Sequence, residues 1–592
     1  MDSDSKNFIL FIILSFAIIL TWQLFMAPKP KPRATGQPPA TAPAEKTPAP
    51  AALPAAPSPA AAPAAQPLPA LSAAPGAEVL PETPTVPEKK VTVKNGVYEI
   101  VFSTRGAVPI SWQLLKYKDS VYYPYEVNLV WPPVWPPFKK IPPFQPKPVN
   151  LVNPQLASGL EPFRTEIHLD NLVIPEHASW ETDVEQLQVS DADQSQTLAF
   201  RLRTGSGALI TKSYTFRPLD YSVDLNLSIA PSPGAGPAPK AEVLTRLSFL
   251  YESGNRLTRV NFHGPLSYAG EKQAEKLHQV KVDELLKKGP VEQSGVLWAG
   301  FSDSYFLTAL LPAEPAQTLD WSTRYSGPED LRLDKKAAKE LTGELRAVST
   351  PEELARGELL KLRLFVGPKA ADILAKVNPK LPMAIDYGML YIVVWPLMWA
   401  LNQLYRFLPN YGVCIIVLTV ALRMGMFPLT RKGQQSMKEM QKLQPEMQKI
   451  RERYPNDRMK QQEEMAALYK KYKINPIGGC LPMLLQIPVF FAFYKALLIS
   501  IELRHAPFFS WIQDLSGRDP LLIWPLLMGG TQILMQKMTP TTSADPTQAK
   551  MMMLMPLVFI FLLLYFPAGL IIYWTVSNLV GVGQQIYVNR KS

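Results

Sequence analysis

A chain of 592 residues has room for several domains, and its two cysteines, Cys414 and Cys480, sit in or beside apolar runs, which excludes a disulfide-stapled soluble domain. The formal charge is +11, but residues 431–475 alone hold twelve Lys and Arg against six Asp and Glu, so the excess marks one loop and not a nucleic-acid-binding surface. Sixty prolines, crowded into a few stretches, exclude those stretches from a regular core.

Residues 8–26, FILFIILSFAIILTWQLFM, are 19 uncharged positions, enough to cross a hydrocarbon core of about 30 Å. A cleaved signal peptide would begin basic and exit through small residues. Here residues 1–7 read MDSDSKN and the exit is Trp22 to Met26, so the segment is expected to be an uncleaved anchor. Residues 27–90 are a Pro/Ala-rich tether. Over 91–377 the pattern changes to period two. Val223, Leu225, Leu227 and Ile229 alternate with Ser222, Asp224, Asn226 and Ser228, and Leu360, Leu362, Leu364 and Val366 repeat the pattern. Such half-buried strands predict an antiparallel β-sandwich domain. Its segment WPPVWPPFKKIPPFQPKP (131–148) is a loop, because proline donates no ladder hydrogen bond.

From Tyr387 the chain turns helical. Residues 388–408 mix Trp395, Trp399, Asn402, Gln403 and Arg406 with apolar positions, which predicts an amphipathic helix lying at the membrane interface. Spans are predicted at 410–430, 476–501 and 520–537. Residues 551–589 carry no formal charge and would reach about 58 Å as a helix, so they are read as a hairpin of two short spans, 551–566 and 568–589, turning at Phe566-Pro567-Ala568-Gly569. With the basic loop 431–475 in the cytoplasm, the loop 502–519 and the β-domain lie outside. The loop 538–550, the tail 590–592 and the N-terminus then lie inside. Lys29, Lys31 and Arg33 run against that orientation, and the larger, later bias decides. The expected class is therefore a polytopic α-helical membrane protein of about six spans, five of them a core, with an extracytoplasmic β-sandwich.

Arg423 interrupts the apolar run VCIIVLTVALRMGMFPL, where burying a guanidinium is expensive. Snorkelling is the bland explanation, but about six residues, roughly 9 Å, separate it from Leu429 at the cytoplasmic end. Thr419 lies one turn away, and other spans carry Gln486, Gln532, Trp574, Ser577 and Asn578. Taken singly these suit interhelical hydrogen bonds. Together with an arginine they suggest a wet cavity. In 431–475, Met440, Leu443, Met447, Ile450, Met465, Leu468, Tyr469 and Tyr472 have helical spacing, broken at Pro455-Asn456-Asp457. That spacing fits a self-packed helical hairpin or a methionine surface that adapts to varied apolar sequences. Neither GxxxxGK[ST] nor HExxH occurs, and His168, His177, His263, His278 and His505 have no ligand spacing, so no metal, cofactor or covalent catalysis is expected.

The segments RMGMFPLT (423–430), NPIGGCLPMLLQIPVFFAFYKAL (475–497), DPTQAKMMMLMP (545–556) and FPAGLIIYWTVSNL (566–579) resemble the YidC membrane insertase family. The resemblance implies a membrane protein insertase and chaperone of the bacterial inner membrane with a mutarotase-like periplasmic β-domain. It also implies that Arg423 is a groove arginine and that Trp574 is a substrate-contacting aromatic. Thr419, Gln486, Gln532, Ser577 and Asn578 would share that groove, and apolar substrate segments would leave along Phe490 and Trp574. The implied partners are newly made membrane proteins, the bilayer, a Sec-type translocon and the ribosome. Two rival classes also fit a wet cavity or a β-domain: a small-solute transporter, for which no internal repeat is found, and a sugar-binding module on a membrane anchor, which has no need of Arg423.

Overall fold

The computed structural model describes residues 78–79, 87–121, 146–152, 160–169, 172–190, 194–205, 207–230, 240–252, 262–271, 274–313, 319–334, 337–455, 457–472, 481–538, 563–564 and 566–591. The anchor 8–26 and nearly all of 551–566 lie outside these residues, as do most of the tether and of the Trp/Pro-rich loop.

The alternating sequence builds two sheets among the described residues, one of 14 strands and one of five. In the large sheet Glu358–Pro368 lies between Ser222–Ala230 and Phe306–Pro312, with Leu364 opposite both Val223 and Leu310. Both alternating runs noted in the sequence are thus neighbours in one sheet, their apolar faces turned inward. The small sheet covers that face. Phe102 meets Tyr214 at 4.8 Å and Phe200 at 5.9 Å between ring centroids, and Tyr98 stacks obliquely on Trp112 at 5.6 Å. Pairing is antiparallel except at two short places. Glu78–Val79 runs parallel to Leu172–Ile174, and Lys90–Lys94 runs parallel to Gln186–Gln188. The same core continues past Val377 through buried Leu381, Ala384 and Ile385, so packing does not end where the alternation ends.

Lys212 follows the alternation inward with Ile210, Tyr214 and Phe216, and its ammonium is fully buried. Nζ donates to the carbonyls of Gly106 and Phe163 and to Thr165 Oγ1, each at 3.1 Å. Burial pulls its pKa down to about 7. The unfolded amine titrates near its ordinary value of about 10.4, so between these values the unfolded chain holds the extra proton and stability rises with pH. Melting of the β-domain within the full chain is expected to move to higher temperature from pH 7 to pH 9, and Lys212→Met to reduce that shift to the part that buried Lys369, pulled down to about 8 by burial, supplies. An unchanged slope in the variant would show that another group sets it.

Seven α-helices follow among the described residues. Helix α1 (Tyr391–Phe407) buries Val394, Leu397, Met398 and Leu401 and exposes Ile392, Trp395, Trp399 and Phe407. A helix that keeps one apolar face uncovered fits an interfacial position. Helix α2 (Tyr411–Lys442) is the one described helix long and apolar enough to cross a membrane. It does not stop at Thr430 but continues for three further turns, because no proline follows Pro428 until Pro445, and Gly433 and Met440 are buried beyond the apolar run. The break falls at Leu443. Helices α3 (Gln444–Arg453) and α4 (Arg458–Lys471) then form a hairpin, with the Asp457 side chain capping α4 through Lys460 N at 3.0 Å. Met440, Leu443, Met447 and Leu468 are buried together, with Ile450, Met465 and Tyr469 against them. The methionine surface is therefore mostly turned inward, and Met459 alone of the hairpin methionines is strongly exposed.

Helices α5 (Leu481–Ile499), α6 (Ile523–Met538) and α7 (Ala568–Lys591) complete the core. The last has 24 residues, about 36 Å, and runs two residues beyond the expected 568–589.

Candidate functional site

Helix α7 lies between α2 and α6 and turns a polar stripe into the bundle: Tyr573, Ser577 and Gln584 are buried, as are Thr575, Asn578 and Gln585. Positions 573, 577 and 584 share one helical face. Arg423 reaches that face from α2, and its Nε donates to Ser577 Oγ at 2.6 Å. Gln486 on α5 donates through Nε2 to the same Ser577 Oγ at 3.1 Å and also to the Tyr573 hydroxyl. Gln584 donates to the backbone carbonyl of Arg423 at 2.9 Å. Among the described residues no carboxylate pairs with Arg423, and nothing takes a hydrogen bond from its Nη1 or Nη2. A cation whose charge has no fixed protein partner beside a polar stripe can receive an anionic group from outside.

Other expected members separate from this cluster. Thr419 is fully buried, and its hydroxyl donates at 2.6 Å to Ile415 O one turn back in its own helix, which leaves it no hydrating role. Asn578 bonds Thr531 Oγ1 at 3.3 Å, not the adjacent Gln532. Phe490 and Trp574 meet edge to face at 5.0 Å, an aromatic pair beside the polar stripe. Tyr573, Thr531 and Gln584 were not singled out in the sequence. The spacing from Ser577, four residues back and seven forward, carries the signal for Tyr573 and Gln584.

At the end of the bundle where α2 begins, residues 500–519 pack against it. Asn410 caps α2 through Val413 N at 3.1 Å and donates to Phe508 O at 2.8 Å. Gly412 lets the Phe508 ring approach so closely that a Cβ would lie 2.1 Å from it. Buried Asp519 accepts from Trp511 Nε1 at 3.0 Å, Leu521 N at 3.0 Å and Trp524 N at 2.7 Å. Arg504 points the other way, over the rings of Tyr305 and Phe306 of the β-domain at 5.3 and 5.4 Å. A cavity of about 600 Å³ lies at that junction, lined in part by Asp119, His263, Arg504, His505 and Asp514, far in sequence from the Arg423 cluster. Among the described residues no group of three His, Cys, Asp or Glu could hold a metal.

Comparison with known proteins accounts for both halves of the chain. The 60Kd inner membrane protein model matches residues 403–592, and the YidC periplasmic domain model matches residues 145–400. A protein of Syntrophus aciditrophicus (strain SB) named membrane protein insertase YidC is 36% identical over 603 residues, which cover 99% of this chain and 100% of that one. A protein of the same name from Geobacter sulfurreducens is 38% identical over 417 residues, 70% of this chain and 75% of that one. The solved structure described as active YidC insertase with the first transmembrane domain resolved aligns over 84% of this chain and 92% of that chain, at 16% identity and a TM-score of 0.35. The chain belongs to the YidC family of membrane protein insertases, proteins of the bacterial inner membrane that carry a periplasmic domain.

Proposed function

We propose that insertion runs along the polar seam formed by α2, α5, α6 and α7, open to cytoplasm and lipid and closed outside by residues 500–519. A hydrophilic substrate tail entering the seam keeps part of its hydration, and Arg423 attracts its acidic groups. Apolar segments leave sideways past Phe490 and Trp574 into lipid. Ser577, Gln486 and Asn578 line the seam, Gln532 borders it, and Thr419 supports the wall. The chain crosses the membrane about six times with both termini in the cytoplasm, and the hairpin 431–475 meets nascent chains as they leave the ribosome, alone or beside a Sec-type translocon. The observation that carries this reading is the arginine itself. Its Nη groups have no protein acceptor among the described residues, a placement that membrane burial penalises unless something else binds there.

Reconstituting the purified chain in liposomes and adding a small single-span substrate tests it. Protease-protected substrate without any nucleotide is expected. Substrate that stays fully digestible, or protection that requires ATP, would overturn the reading.

A further inference from the structure

We propose that Ser577 is a positioning residue that fixes which edge of the Arg423 guanidinium is offered to a substrate carboxylate. The inference rests on the reading of Arg423 as the substrate-attracting charge and adds a device that sets its geometry.

A guanidinium can grip a carboxylate bidentately in two ways, through Nε with one Nη or through the two Nη groups. In this structure the first edge is taken, because Nε donates to Ser577 Oγ at 2.6 Å. The second edge remains, since nothing among the described residues accepts from Nη1 or Nη2. The serine is itself held from the far side. Gln486 Nε2 donates to the same oxygen at 3.1 Å, so both lone pairs of the hydroxyl are used by donors and it cannot turn its proton toward the arginine. Gln486 is in turn tied to the Tyr573 hydroxyl one turn away on α7. The Arg423 backbone is fixed independently through Gln584 at 2.9 Å. Position and orientation of the charged group are thus set by two separate contacts to one helix.

A lysine at 423 would carry the charge without an Nε to fix, and this difference isolates the serine's role. Insertion is measured for two substrates that differ only in an acidic or a neutral translocated tail. Ser577→Ala is expected to lower insertion of the acidic tail roughly tenfold, the scale of one hydrogen bond to a charged group, and to change the neutral tail less than twofold. Ser577→Thr, which keeps the acceptor, restores the preference. In an Arg423→Lys background Ser577→Ala is expected to change neither tail by more than twofold. Equal losses for both tails, or the same loss in the lysine background, would show that Ser577 matters only as packing and overturn the proposal. If Arg423→Ala itself penalises both tails equally, attraction by Arg423 is wrong and the proposal falls with it. If Arg423→Ala is selective and Ser577→Ala is not, the proposal alone fails.

Discussion

Arg423→Glu is expected to abolish insertion of substrates with acidic translocated tails, Arg423→Ala to slow it strongly, and Arg423→Lys, which keeps the charge but lacks the guanidinium edge that Ser577 presents, to lose no more than about tenfold. The ranking follows from charge. At an effective dielectric near 20, one pair of unit charges a few ångströms apart interacts by roughly 3 to 4 kcal/mol, so deleting the cation is expected to slow acidic tails by several hundredfold, on the order of 10² to 10³, and reversing it further. A neutral tail loses only the hydration that the guanidinium maintains, and its insertion should fall by about tenfold or less. Scoring the three variants on paired substrates of differing tail charge decides the matter. Were Lys to fail as badly as Ala, Arg423 would be serving a fixed bidentate partner and not a passing substrate.

Removing the α3–α4 hairpin is the second change with a large expected effect. The structure dictates where to cut. Lys438, still within α2, donates to Val588 O near the end of α7 at 3.3 Å, a basic group on a helix C-terminal carbonyl, and a deletion from 431 would remove it. Excising 443–472 keeps α2 whole. Insertion in liposomes is expected to be lost while the melting temperature of the core is retained. The inward-facing methionine cluster shifts the reason for that expectation from a sticky surface to a basic one: α3 and α4 hold Lys449, Arg451, Arg453, Lys460, Lys470 and Lys471, which would draw the hairpin to anionic lipid under the proposed function. Normal insertion by the excised chain would remove the hairpin from the mechanism.

Arg423 was legible in the sequence because a charge in an apolar run has few explanations, and Ser577 and Gln486 were legible as polar groups in the same setting. The choice between Thr531 and Gln532 was not. Neighbouring residues on a helix point about 100° apart, and only the rotation of α6 against α7, set by packing along both helices, decides which one meets Asn578. Tyr573 passed as an ordinary aromatic, since a hydroxyl at the end of a ring adds little to an apolar pattern. In the β-domain, alternation identified the strands, but Lys212 on the inward face escaped it, because a lysine contradicts the usual composition of a core. The two parallel pairings join strands far apart in the chain and leave no local trace. The loop 502–519 read as a simple connection because its order comes from buried carboxylates gripping backbone N–H groups, as at Asp519, and the sequence shows only acidic residues in a turn-rich stretch.

Arg504, lodged over Tyr305 and Phe306, has a mechanical consequence. Ile501, three residues earlier, is buried within the core of the β-domain itself. The β-domain is thus anchored to the segment that joins α5 to α6, and through Phe508 and Asn410 to the first turn of α2. A protein pulling on the β-domain would load the ends of three core helices at once, so the domain can act as a handle on the bundle without touching a substrate.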